Sequence, residues 1–166
     1  MNDMLPASLD PATIASGRGL FFKGRLERSY LDEVAQRFDF IKVSWVTYDL
    51  NIALISKDCW ELRGHIQAEI IQSCVATSDP VKELIDGQIK ERFVSDFSFN
   101  EEIDVQDSSV EPLVDGAIAL TEAVMQFVGV EANPYPRRDG APEIHEFGPR
   151  IEKQNPFSKL SQLKKE

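Results

Sequence analysis

The sequence predicts an α+β fold, a single domain in which an antiparallel β-sheet is packed by two short helices between flexible termini. The first of three observations behind this is the clean alternation from Leu62 to Ile70. There Leu62, Gly64, Ile66, Ala68 and Ile70 face one way while Arg63, His65, Gln67 and Glu69 face the other, the period of a half-buried strand. Two separate stretches instead repeat at helical spacing: Leu31, Val34, Ala35 and Phe38, then Leu120, Val124, Phe127 and Val128. The third is size: 166 residues, 42% hydrophobic and 28% charged, suit one ordinary globular domain. A body of about 130–150 residues buries roughly two-thirds of its extended surface, enough for a core without covalent staples.

Residues 1–18 carry Pro6, Pro11 and Gly17 without periodicity and read as a loose N-terminal segment. Leu20-Phe21-Phe22 reads as a first edge strand. Ser29 reads as an N-cap, with Asp32 three residues on approximating a capping box, and the helix it opens closes near Asp39. From Ile41 the pattern turns to β: Ile41, Val43 and Trp45 alternate with Lys42 and Ser44, and the strand continues through Ile52, Leu54 and Ile55. Ser56-Lys57-Asp58 suits a turn, and His65 falls on the solvated side of the next strand. Residues 80–97 admit two readings. Val81, Leu84, Ile85 and Ile89 fit a helix, but Val81, Ile85, Ile89, Phe93 and Phe97 share one parity, with Glu83 and Glu91 intruding; a strand or bent strand is the preferred reading.

Asn100 to Glu111 reads as an acidic solvated loop, and Asp115-Gly116 as a turn. The second helix runs from about Leu120, with Gly129 placed as its stop. Asn133-Pro134-Tyr135-Pro136 cannot continue it. The domain thus spans residues 19–140, and 141–166 is expected to be a flexible C-terminal tail. Within that tail Phe157 and Leu160 stand out as apolar residues in polar surroundings.

Chemistry-bearing motifs are absent. The sequence holds no P-loop, no G-x-G-x-x-G, no G-x-S-x-G and no metalloprotease helix. Cys59, Cys74, His65 and His145 lack the paired spacing a zinc site requires, so no cofactor and no metal are expected. Neither is catalysis. No apolar stretch is long enough for a membrane span, and Met1-Asn2-Asp3-Met4-Leu5-Pro6 has no basic and apolar leader, so a cytoplasmic protein with no membrane partner is expected. The net charge is −10, with 28 acids against 18 bases. A tight grip on bare nucleic acid relies on a dense cationic face; an acidic chain is better matched to a basic protein.

One region carries a resemblance. Glu111-Pro112-Leu113-Val114-Asp115-Gly116, a following helix, and the exit Pro134-Tyr135-Pro136-Arg137 resemble the signature of the YceD family of large ribosomal RNA subunit accumulation proteins. Cys74-Val75-Ala76-Thr77 running into Pro80, and Asn155-Pro156-Phe157 with Leu160, are similar to that family's central and closing motifs. The resemblance spans about Leu20 to the end. It implies a mixed fold with an antiparallel sheet and a non-catalytic role in the synthesis, processing or accumulation of large-subunit ribosomal RNA, in bacteria and plastids. It also implies ribosomal proteins or large-subunit assembly intermediates as partners and no small-molecule substrate. Some members carry Cys-x-x-Cys here and further cysteines after the proline exit, suggesting a metal; this chain has Thr77 at the second position and no cysteine after Cys74. A metal-dependent RNA-processing hydrolase and a general acidic adaptor are the alternative readings.

Overall fold

The computed structural model describes residues 4–14, 17–95 and 109–142. Five strands form one sheet in the order β1-β2-β3-β4-β5: β1 Leu20–Arg25, β2 Lys42–Ser56, β3 Cys59–Ser73, β4 Pro80–Val94 and β5 Ser109–Pro112. Two helices, α1 Arg28–Arg37 and α2 Leu120–Glu131, complete an α+β fold. The first four strands are an antiparallel meander, but β5 pairs parallel to β4, Phe93 opposite Glu111, so the sheet is mixed rather than wholly antiparallel. Four residues ending in Pro112 show too little pattern for sequence to fix their direction.

The three central strands are each 15 residues, about 50 Å if extended. Residues 80–94 are a strand throughout, which decides the ambiguous stretch that far, while Phe97 lies outside the described residues. The alternation seen from Leu62 to Ile70 sorts one whole face. Tyr48, Leu50 and Ile52 on β2, Leu62, Ile66 and Ile70 on β3, and Ile85, Ile89 and Phe93 on β4 are all buried beneath the helices. α1 contributes Val34, and α2 contributes Leu120, Val124 and Val128, to that one core.

Turns follow the polar punctuation. Lys57-Asp58 closes β2 onto β3, with Asp58 at φ 59 in the left-handed region that Asp tolerates. Asp115 and Gly116, at φ 51 and 77, make a tight turn in which Val114 and Ala117 exchange backbone hydrogen bonds of 2.9 Å each.

Three local readings need correcting. α1 begins one residue before Ser29, with Glu27 at the N-cap position, so Ser29 lies inside the first turn and caps nothing. Gly129 does not stop α2, which runs on to Glu131. A Cβ there would come within 2.2 Å of the Phe38 ring, so this glycine is a seat for α1's last aromatic. The residues read as a loose N-terminal segment pack onto the body: Leu5 and Ile14 are buried, Leu9 and Ile118 exchange backbone hydrogen bonds of 2.8 and 2.9 Å, and Thr121 Oγ1 donates to Pro6 O at 3.0 Å. Their contacts are tertiary, so no periodicity announces them.

Gly129→Ala accordingly reverses the usual helix rule. Alanine normally stabilises a helix interior by about 1 kcal/mol over glycine. Here it should destabilise by about 1–2 kcal/mol, because the Phe38 ring must move. Thermal unfolding of the variant would show this directly, and a raised Tm would disprove the contact.

Candidate functional site

The meander leaves both helix C-termini at the end of the sheet where β3 turns into β4. Phe38 follows the last residue of α1 and Ala132 that of α2, as their C-cap residues. Between them and the tip of β3 lies a cavity of about 400 Å³ lined by residues from three stretches of chain, among them Phe38, Phe40, Gln72, Val75, Val130 and Pro136. Asp39, at φ 56, turns the chain out of α1 at its wall. Two of the lining side chains, Val75 and Val130, are exposed apolar ones, and the exposed Ile41 and Tyr135 are chain neighbours of lining residues.

Gln72 is the polar group of the site. It lies on the helix-side face of β3, in phase with Ile70, and is only 7% exposed, yet its Oε1 accepts no hydrogen bond. A buried amide oxygen without a donor costs about 1–3 kcal/mol. Of the two helix ends only that of α2 adds to this demand, because the Phe40 N–H caps α1 by donating to Ala35 O at 2.9 Å. The last carbonyls of a helix lack intrahelical partners and carry partial negative charge. At α2 the Asn133 N–H, which could have turned back on them, donates instead to both Glu83 carboxylate oxygens at 3.1 and 3.2 Å.

The β3–β4 turn supplies the adjoining wall. Cys74 N donates to Asp79 O and Ser78 N to Cys74 O, each at 2.8 Å, and Val75 N reaches across to Pro136 O at 2.9 Å. Arg138 Nη1 pairs with Asp79 Oδ2 at 2.6 Å, tying the proline exit to the turn. The Cys74 thiol is buried; hydrogen bonds from the Thr77 side chain and the Arg138 backbone pull its pKa down to about 7. Thr77→Val should therefore raise the pKa of the Cys74 thiol, read as a shift of the ultraviolet thiolate titration to higher pH. An unmoved titration would remove Thr77 as its partner.

The structure divides the sequence-derived candidates in two. Cys74, Pro80, Pro134, Tyr135, Pro136 and Arg137 come together at this end: Pro80 opens β4 opposite Ser73, and Arg137 Nη2 donates to Pro142 O at 2.6 Å. Glu111, Pro112, Asp115 and Gly116 lie by the far end of β4, beyond α2, whose 12 residues span about 18 Å. Asn155, Pro156 and Phe157, with all but the first two residues of the tail expected from 141 and most of the acidic loop, fall outside the described residues. Sequence reasoning missed Gln72, Phe38, Phe40 and Val130. One signal was present, since Gln72 is a polar residue in the apolar phase of β3.

The uncovered face of the sheet is a second polar surface. Lys23 pairs with Asp49 at 2.6 Å, Lys82 with Glu69 at 2.5 Å, and His65 Nε2 meets Asp86 Oδ1 at 2.5 Å. Glu61, 6% exposed, is held by Arg63 and Arg92. Burial works to raise this carboxyl, but the hydrogen bonds from the two arginines outweigh it and hold the pKa below the ordinary carboxylate value. Arg25, Lys42 and Lys90 share the face, as does Phe21, 60% exposed on the edge strand.

Among the described residues, no group of three or more His, Cys, Asp or Glu side chains is placed to hold a metal ion, and no helix is long and apolar enough to cross a membrane. Comparison with known proteins returns no matching family model, no match among curated proteins and no match among solved structures.

Proposed function

We propose that this chain is a non-catalytic ribosome-biogenesis factor that promotes synthesis, processing or accumulation of large-subunit ribosomal RNA through contacts with basic proteins of the assembling subunit. The carrying observation is the apolar-rimmed cavity between two helix C-termini, with the unpartnered Gln72 in its wall and no lysine or arginine in its lining. The exposed Asp39 and the C-terminal end of α2 in that lining favour positive charge. The resemblance of Cys74–Pro80 and Pro134–Arg137 to YceD motifs supports the biological setting, because those motifs build this same end of the molecule. The net charge of −10 supports association with cationic proteins.

Deleting the gene should lower mature large-subunit RNA relative to small-subunit RNA, and an unchanged ratio would sink the reading. Ribosomal proteins recovered with the tagged chain should persist after RNase treatment. A truncation after Arg150 tests the tail: weakened recovery would give Phe157 and Leu160 a docking role, and full recovery would deny it. The hydrolase alternative requires metal-stimulated RNA cleavage by the purified chain.

One observation favours a second mechanism inside this reading. The open sheet face carries more cations than carboxylates and presents Phe21, features suited to a nucleic-acid strand. Against it, Lys23, Lys82, Arg63 and Arg92 are already engaged with carboxylates. Direct contact predicts RNA binding that weakens steeply with salt; recovery of protein partners that survives RNase argues for the cavity.

A further inference from the structure

We propose that β5 is a pH-gated strap on the outer edge of β4: it lies closed while Glu91 is protonated, and it opens when Glu91 ionises beside Glu111, baring the β4 edge from Glu91 to Val94. The strap goes beyond the proposed function and is independent of the partner named there.

Register brings the two carboxyls together. Glu91 lies opposite Leu62 on β3 and opposite Ser109 on β5. It shares the helix-side face with Ile89 and Phe93, each 3% exposed. Glu111 pairs with Phe93 and so stands on that same face, diagonal to Glu91 and within reach of a long side chain. The surrounding elements bring no compensation. β3 presents Trp60, Leu62 and Gly64 here, and the buried Trp60 indole N–H donates to neither carboxyl. α2 carries Glu122, paired with Arg37 at 2.5 Å, and Glu131 at its far end. Asp115 follows in the turn after β5. Lys90 and Arg92 are out of phase with Glu91 and face the other side of the sheet, where Arg92 holds Glu61. Among the described residues no cation offsets the pair at Glu91: burial and the Glu111 charge are what raise its carboxyl.

β5 is poorly equipped to resist the repulsion that ionisation brings. It has four residues, forms the edge of the sheet and pairs in parallel, the less stable arrangement per residue. Pro112 has no N–H to give the ladder, and the bond from Leu113 N to Val94 O, 3.0 Å, closes the row. Short edge elements open locally at free energies well below that of whole unfolding. When Glu91 gives its proton to water, a half-buried pair carries two negative charges; opening separates them and wets both. A bared strand edge is a template on which another extended chain can add. Mild acid thus covers a pairing surface that mild alkali uncovers.

Amide hydrogen exchange of the intact chain tests the strap, followed by NMR at pH 6 and pH 8 and corrected for the intrinsic pH dependence of exchange. Leu113 reports β5, while Ile66, in the middle of β3, reports whole unfolding. Leu113 should be far less protected than Ile66 at both pH values. Its protection should fall about tenfold from pH 6 to pH 8, the change expected when the folded carboxyl titrates at about 7 and the opened one at its ordinary 4.5. Glu91→Gln should abolish that fall, and Glu111→Gln should end it at lower pH. Equal protection of Leu113 and Ile66 would mean that β5 leaves only with the whole fold, and overturns the proposal. So does a Leu113 protection that does not fall, or a fall that survives Glu91→Gln.

Discussion

Gly64→Ala should cost about 3 kcal/mol or more of folding stability, the largest loss expected from adding one methyl group to this protein. The position pairs with Leu50 in the middle of the sheet, with β2 on one side and β4 on the other. A Cβ at Gly64 would sit 2.2 Å from Asp49 O and 2.8 Å from Leu50 Cα, both backbone atoms of the neighbouring strand. A side chain can rotate out of the way, as Phe38 can at Gly129. A paired backbone cannot, so β2 and β3 must separate or bend, and ladder hydrogen bonds weaken with them. In an ordinary strand interior the same change would gain about 0.5–1 kcal/mol through lost unfolded-state freedom. The sign therefore tests the geometry. Urea denaturation should show a lowered midpoint at unchanged m-value, and a midpoint equal to or above wild type would mean the strands do not approach this closely.

Particular residues show how far the sequence could be read. The run from Leu62 to Ile70 displays period two because one face meets the helices and the other meets water; the structure continues it to Ser73, whereas Cys59 to Leu62 are buried on both faces. Asp115-Gly116 gave its turn because two successive left-handed residues suit few other pairs. Gly129 misled, since a glycine near a helix end has two physical explanations, and only the position of Phe38 decides between them. Leu5 and Ile14 were opaque for the opposite reason: their burial depends wholly on partners far along the chain.

The candidate site was legible in part. Pro134, Tyr135 and Pro136 announced an extended exit after α2, and Cys74 to Pro80 a turn, but nothing local tells that Val75 N bonds to Pro136 O. The cavity exists because both helices end over the same end of the sheet, a property of topology. What the chain did display was phase. Gln72 and Glu91 are polar residues where their strands call for apolar ones; Gln72 Oε1 is left without a donor, and burial raises the pKa of Glu91. A polar residue out of phase in a strand is a better pointer to function or stored energy than any spacing motif found here.

Glu91→Gln should stabilise the protein above pH 7 and flatten its pH dependence. Glu91 lies on the helix-side face of β4, opposite Leu62 and one step in phase from the buried Phe93, which itself pairs with Glu111 on β5. Burial above all, and then the Glu111 charge, push the Glu91 carboxyl up to about 7 from an ordinary value of 4.5. Between those two values the unfolded chain has released the proton and the folded chain still holds it. The folded state then binds more protons, so stability falls as pH rises through this window and stays reduced above it. At about 1.4 kcal/mol per unit of separation the full loss comes to about 3 kcal/mol. Glutamine keeps the shape without the charge, so the variant should gain about 2–3 kcal/mol at pH 8 and nothing near pH 4. Glu61, Glu69, Asp79 and Asp86 act in the other direction: their folded pKa values are depressed, so their contribution is present above the unfolded carboxylate range and is lost on acidification. Wild type should thus be most stable in mild acid, between the two effects, while Glu91→Gln should hold its stability from there to pH 8. Urea unfolding at pH 5 and pH 8 for both proteins measures the difference. Parallel slopes in the two would mean that Glu91 is ionised in the fold and that water reaches it.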